Sequence, residues 1–255
     1  MIEIIGLKKS FGSKEVTKAL SLQVNTGEFL AIVGRSGEGK SVLLKQIVGL
    51  INSDGGDIII NDLHLSALHG KDRQKIFKEC GYVFQFAALL DSISVFENIA
   101  LYHLENGFSA KEMRPLVIEK VKSVGLSVDV LDKFPDELSG GMKKRVGLAR
   151  TLITEPEIIL YDEPTTGLDP ITTRIIHELI SSTQKKLNLT SIIISHDPEV
   201  FKYVDRVALL NNRKIEFVGD ASTIWKSKDP SIYQFIRGLT DGPIQTEIVY
   251  SKDKF

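Results

Sequence analysis

Residues Phe29 to Leu50 read FLAIVGRSGEGKSVLLKQIVGL, and this stretch decides the fold. The apolar run FLAIV reads as a strand and VLLKQIVGL as a helix. Between them stand Gly34, Arg35, Ser36, Gly37, Glu38, Gly39, Lys40 and Ser41, the spacing and context of a phosphate-binding loop. The glycines let the backbone curl so that successive N–H groups face phosphates, and the helix N-terminus adds partial positive charge. Lys40 is then placed to reach the β- and γ-phosphates of a nucleotide, and the Ser41 hydroxyl to ligate Mg²⁺. The loop, with Val42 at the start of the helix, is the candidate nucleotide cradle. A plain glycine turn between a strand and a helix is the alternative.

Downstream, Ile158-Ile159-Leu160-Tyr161-Asp162-Glu163 is an apolar strand ending in two carboxylates. In open α/β sheets ligands bind at the carboxyl ends of the strands, so both acids are expected beside the loop. Asp162 is the candidate Mg²⁺ carboxylate, directly or through water. Glu163 is the candidate for polarising an attacking water, because phosphoryl transfer needs positioning and charge stabilisation more than covalent chemistry. Alone, a strand with an acidic end says little; paired with the loop it says a great deal.

A third element, Leu138-Ser139-Gly140-Gly141-Met142 followed by KKRVGLAR, is again an anion site, a serine and two glycines opening a helix. In this order the motifs resemble those of ABC ATPases over residues 1 to about 220. That resemblance implies an α/β ABC ATPase fold, with a RecA-like P-loop core, an antiparallel β subdomain on the N-terminal side and an inserted helical subdomain. It implies ATP and Mg²⁺ as cofactors, and a second copy of the chain whose Ser139, Gly140 and Gly141 close over the nucleotide. Gln85, ending the strand YVFQ, matches the glutamine that senses Mg²⁺ and water and links the site to a membrane partner. Gly167-Leu168-Asp169 matches the loop whose aspartate contacts the opposite subunit. His196, after SIIIS, matches the switch histidine at the γ-phosphate. Phe11 stands where the family stacks an aromatic on adenine, with a buried core phenylalanine as the alternative.

The totals restrict the function further. Lys and Arg number 32 against 33 Asp and Glu, a formal charge of -1, which gives no support to a nucleic-acid-coating protein. The longest apolar stretches stop well short of the ~18 residues needed to cross a bilayer. The start, MIEIIGLKKSFG, lacks the apolar core and cleavage site of a signal peptide. We therefore expect a protein bound peripherally at the cytoplasmic face of the inner (cell) membrane. Cys80 is the single cysteine, which excludes an internal disulfide and a cysteine cluster for zinc, and it reads as a small buried apolar residue.

Strand-like segments fall near the start and at Glu28–Val33, Asp57–Ile60, Gly81–Phe84, Ile158–Tyr161 and Ser191–Ile194. Residues 87–133 carry helical patterns such as AKEMRPLVIEKVKSVG, so with the signature helix we expect a helical insertion of about 87–150. VALLN and KIEFVG flank a turn at Asn212 and Arg213, a hairpin, and a helix is expected over Ser231–Arg237. One nucleotide-binding domain is expected over 1–238 and an extended tail over 239–255. After Gln85 the apolar set Phe86, Leu89, Leu90, Ile93, Val95 and Phe96 is read partly as a docking face for a permease helix and partly as core.

Met142 stands where the general signature has glutamine, a side chain with a hydrogen-bonding amide. LSGGM followed by basic residues is similar to the ATPase of Mla-type transporters, which serve MCE lipid-transfer systems. The end of the chain agrees, with Gln234-Phe235, Gly238 and Asp241-Gly242-Pro243. This resemblance implies a lipid-transport motor with integral membrane permease subunits, an MCE-domain lipid-binding protein and a small STAS-domain regulator as partners. The competing readings are the ATPase of another ABC transporter, such as an amino-acid importer or a lipoprotein-releasing system, and a soluble ABC protein acting on nucleic acid. Proteins of that last class usually carry tandem nucleotide domains, long coiled-coil insertions or strongly basic arms, none of which is visible in this sequence. The run IQTEIVY in the tail is read as a tether to the second ATPase subunit, or as a self-packed, then disordered, end.

Overall fold

The computed structural model describes residues 1–68, 76 and 79–245. Two sheets organise them. In the first, β1 (Ile2–Phe11), β2 (Lys14–Val24), β4 (Gly55–Ile60) and β5 (Leu63–His64) run antiparallel in the order β2-β1-β4-β5. In the second, β3 (Phe29–Val33), β6 (Cys80–Val83), β7 (Ile158–Asp162), β8 (Thr190–Ile194) and β9 (Arg206–Asn211) are parallel. The strand β10 (Lys214–Asp220) adds an antiparallel edge, giving the order β10-β9-β3-β8-β7-β6.

The central strands are buried along their whole length because their sequences are almost continuously apolar, with polar residues only at the end of β7 (Asp162) and the start of β8 (Thr190, Ser191), as a sheet covered on both faces requires. Alternation divides their side chains between two cores. Leu30, Ile32, Leu160 and Ile192 pack with the antiparallel sheet and with Leu43, Leu44 and Ile47 of α1 (Lys40–Ile47). Phe29, Ala31, Val33, Ile159, Tyr161 and Ile193 face the opposite way, toward the remaining helices. Between β6 and β7 the chain inserts α2 (Val95–Glu105), α3 (Ala110–Ser123) and α4 (Gly140–Leu152), which pack on one another. Both α2 and α3 open on reciprocal caps, Ser94 with Glu97 and Ser109 with Glu112. The helix α5 (Pro170–Leu187) joins β7 to β8, and α6 (Pro230–Arg237) follows β10. The architecture is thus the expected one: a parallel P-loop core, an antiparallel β subdomain and inserted helices.

The expected strand ends match or shift by one residue, except that β4 begins two residues early, at Gly55. The sequence did not separate KEVTKALSLQV from the start, yet it forms β2, because Leu20, Leu22 and Val24 alternate inward. The hairpin turn at Asn212 and Arg213 has φ of 49° and 67°, the left-handed pair that matches strand twist. Of the apolar set after Gln85, Val95 and Phe96 enter the core, Leu89 and Ile93 are half-buried, and Phe86 (81% exposed) and Leu90 face outward. Cys80 is buried, and burial pushes its thiol up to about 12.

Beyond α6 the chain is locked by one glutamine. The Gln234 amide, 5% exposed, donates to the carbonyls of Leu239 (3.2 Å) and Ile244 (3.0 Å) and accepts from Ile244 N (2.7 Å). Gly242 permits this, since a Cβ there would lie 2.4 Å from the amide. Gln234→Leu should leave the Ile244 backbone unpaired and cost about 2–3 kcal/mol, read as a lower urea midpoint. An unchanged midpoint would show that the lock contributes nothing. The carbonyl of Gln245 then accepts from Arg35 of the phosphate loop. Of the expected tether IQTEIVY, Ile244 and Gln245 thus pack on their own chain, and the rest, from Thr246, lies outside the described residues.

Candidate functional site

At the carboxyl ends of the parallel strands lies a cleft of about 450 Å³, walled by Ser36, Gly37 and Gly39 to Val42 of the loop and by Phe11, Val16, Gln85, Glu163 and His196. Two glycines show why the loop takes this course. A Cβ on Gly34 (φ 151°) would stand 2.1 Å from the Leu210 carbonyl oxygen, and one on Gly39 (φ 94°) 2.5 Å from Val16 Cγ1. Lys40 is 5% exposed, and its amine donates to the carbonyls of Gly34 (2.9 Å) and Arg35 (2.7 Å). Burial lowers its pKa, while Glu163, Glu38 and Asp162 oppose that shift. Arg35 and Glu38 belong to the loop by backbone only, for their side chains bind Gln245 O and Arg213 N.

Ser41 lies in the first turn of α1 and Asp162 ends β7, two elements brought together by the parallel sheet. The Ser41 hydroxyl donates to Asp162 Oδ1 at 2.7 Å, and the Tyr82 hydroxyl donates to Oδ2 at 2.8 Å. Burial and the adjacent carboxylate raise the Tyr82 pKa, so this phenol stays protonated. Glu163 has φ of 48°, a left-handed conformation that costs a non-glycine residue roughly 1–2 kcal/mol. Its Oε1 lies 2.5 Å from His196 Nε2, and its Oε2 accepts from Thr166 Oγ1 (3.0 Å) and Gln85 Nε2 (3.3 Å). Three candidate residues far apart in sequence therefore meet at one carboxylate.

Gln85 is positioned from behind. Lys144, buried on α4, donates to its carbonyl, and Arg150 donates to Ala87 O and Ala88 O, each at 2.7 Å. Ala87 and Ala88 both have positive φ, so α4 braces a strained loop. Sequence reasoning missed Tyr82, Lys144, Arg150, Thr166 and Val16. The signals were faint: Tyr82 lies in the strand before Gln85, and Lys144 in the basic run after the signature.

Phe11 is 50% exposed at the rim of the cleft and is not a buried core side chain. Ser139, Gly140, Gly141 and Asp169 do not line this cleft. Ser139, Gly140 and Asp169 are exposed elsewhere and Gly141 is half-buried; Ser139 caps α4 by accepting from Met142 N, and Gly141 abuts Thr172. Asp169 caps α5, accepting from Ile171 N and Thr172 N at 3.0 Å; the Thr172 hydroxyl above all, and then these backbone bonds, hold its carboxyl below the usual range. Met142 is half-buried against the helical core, so a thioether there contributes packing.

The donors suit a nucleotide with Mg²⁺. A narrow loop open to phosphate oxygens, a buried ammonium, and a hydroxyl beside a carboxylate supply the positive cradle and the hard oxygen ligands that this pair requires.

The ABC transporter family profile matches residues 17–166. Among curated relatives, the "Probable ribonucleotide transport ATP-binding protein mkl" of Mycobacterium leprae is 37% identical over 95% of this chain and 70% of its own. The methionine import ATP-binding protein MetN of Clostridioides difficile is 39% identical over 88% of this chain and 70% of its own. The intermembrane phospholipid transport system ATP-binding protein MlaF of Haemophilus influenzae is 36% identical over 96% of this chain and 93% of its own. Among solved structures, the dimeric ATP-binding cassette MJ0796, in a post-hydrolysis state with ADP and phosphate, aligns with a TM-score of 0.80. It is 29% identical over 87% of this chain and 99% of that one.

Proposed function

Because the chain belongs to the ABC transporter family, as an ATP-binding and ATP-hydrolysing subunit, we propose that it drives a lipid transporter of the Mla type. The observation that carries the lipid reading is the lock around Gln234. Gln234 and Gly242 belong to the C-terminal features that are similar to Mla-type ATPases, and here they form one buried contact. The alignment with the phospholipid-transport relative is long enough to include part of that segment.

In this reading residues 1–238 are the nucleotide-binding domain, with the helical insertion at about 87–150, and 239–255 are the tail. The loop N–H groups and Lys40 bind the phosphates of ATP, and Phe11 supports the adenine. Ser41, Asp162 and Gln85 would hold Mg²⁺, which would draw charge from the phosphate oxygens. Glu163 takes a proton from the attacking water, His196 orients Glu163 and contacts the terminal phosphate, and Gln85 links both to the membrane partner. Ser139, Gly140, Gly141 and Asp169 act on the nucleotide of a second copy across a two-fold axis. Their separation from the cleft in one chain, and the dimeric cassette relative, support this arrangement.

The partners are permease subunits, an MCE-domain protein and a STAS-domain regulator, at the cytoplasmic face of the inner membrane. Among the described residues no helix is long and apolar enough to cross a membrane. Exposed Phe86 and Leu90 supply the apolar face for the permease. The relative named for methionine import favours amino-acid import as the second reading. Purification of the intact complex from membranes, with identification of its proteins and lipids, separates the two. Copurifying MCE protein and phospholipid is the expected result; a solute-binding protein without lipid would overturn the lipid assignment.

A further inference from the structure

Tyr82 stands on β6 opposite Leu160 of β7, and Asp162 lies two residues further along the same face. The phenol ring spans that diagonal, so its hydroxyl reaches Asp162 Oδ2 at 2.8 Å while Ser41 holds Oδ1 at 2.7 Å. Asp162 is buried, and Tyr82 is fixed in turn by its ring against Phe84, with centroids 4.5 Å apart. A carboxylate free to rotate presents either oxygen to a cation. One whose second oxygen accepts from a fixed phenol presents only the other.

We propose that Tyr82 is a positioning residue for the metal site: its hydroxyl occupies Asp162 Oδ2 and so commits Oδ1, on the Ser41 side, to the cation that accompanies the nucleotide. This rests on the reading of Asp162 as the metal carboxylate. Groups that hydrogen-bond a metal-binding carboxylate hold its orientation, and their loss typically weakens metal binding by about 10–100-fold. Tyr82 acts through Asp162, so its effect is confined to the metal-dependent part of binding.

The test measures ADP binding by calorimetry to the full chain and to Tyr82→Phe and Asp162→Asn, in EDTA and across a Mg²⁺ titration, with bound Mn²⁺ counted by electron paramagnetic resonance. For Tyr82→Phe the expected result is ADP affinity in EDTA within about twofold of the parent, and a half-saturating Mg²⁺ or Mn²⁺ concentration raised about tenfold. ATPase turnover of this variant should then approach the parent at high Mg²⁺ and fall behind at low Mg²⁺. Equal losses with and without metal would make Tyr82 a structural residue and overturn the proposal, as would an unchanged metal dependence. If Asp162→Asn shifts the metal dependence and Tyr82→Phe does not, the Tyr82 inference fails alone. If neither shifts it, the reading of Asp162 fails as well.

Discussion

Glu163→Gln should yield a protein that binds ATP, closes with its partner copy and stays closed. Hydrolysis is expected to fall by roughly 10²–10⁴-fold, the usual worth of a positioned general base. The substitution preserves shape, and the new amide can still accept through its oxygen from Thr166 and Gln85, which bond Glu163 Oε2 in the parent. What it removes is the carboxylate that His196 approaches at 2.5 Å and that can take a proton. Binding should survive, because the loop, Lys40 and Ser41 are untouched. Size-exclusion chromatography with ATP should show a stable dimer, and denaturation of that dimer should release intact ATP. Wild-type turnover together with no trapped nucleotide would remove Glu163 from the proton-transfer role.

Lys40→Ala and Ser139→Arg should each abolish turnover as homodimers, for different reasons. Lys40 is the buried ammonium of the cleft, and its loss should weaken ATP binding by about 10–100-fold, the value of a charge-assisted hydrogen bond or two. Ser139 does not line its own chain's cleft, so Ser139→Arg should leave binding to the loop near normal. Mixed dimers decide between action within a chain and across the pair. With Lys40→Ala on one chain and Ser139→Arg on the other, one composite site loses both halves and the second is undamaged. Such a dimer should hydrolyse more ATP than either mutant homodimer, given that one intact site suffices. Full activity in the Ser139→Arg homodimer would exclude the signature serine from catalysis.

Much of this site is legible in the chain because each of its motifs is local. A glycine-rich loop, a strand ending in acids and a serine opening a helix are each fixed by neighbours within a few residues. The conformations that make them work are local too, as the positive φ of Gly37 and Gly39 shows. The braces are not local. Lys144 reaches Gln85, Arg150 reaches Ala87, and Tyr82 reaches Asp162 over separations of 59, 63 and 80 residues. Nothing in the run KKRVGLAR distinguishes a buried lysine from a solvated one.

The sequence by itself determined the parallel core, the phosphate loop, the acid pair and the order of motifs that places the chain in its family. Hydrophobic period and glycine spacing act over one turn or one strand, where the chain has few alternatives. Only the tertiary structure decided that Phe11 stands at the cleft rim, that Met142 packs against the helices and that Gln234 locks the segment after α6. It alone put His196, Gln85 and Thr166 around one carboxylate. These facts depend on which faces of distant elements meet, and that is set by the summed packing of two cores on either side of one sheet, a quantity no short stretch of sequence contains.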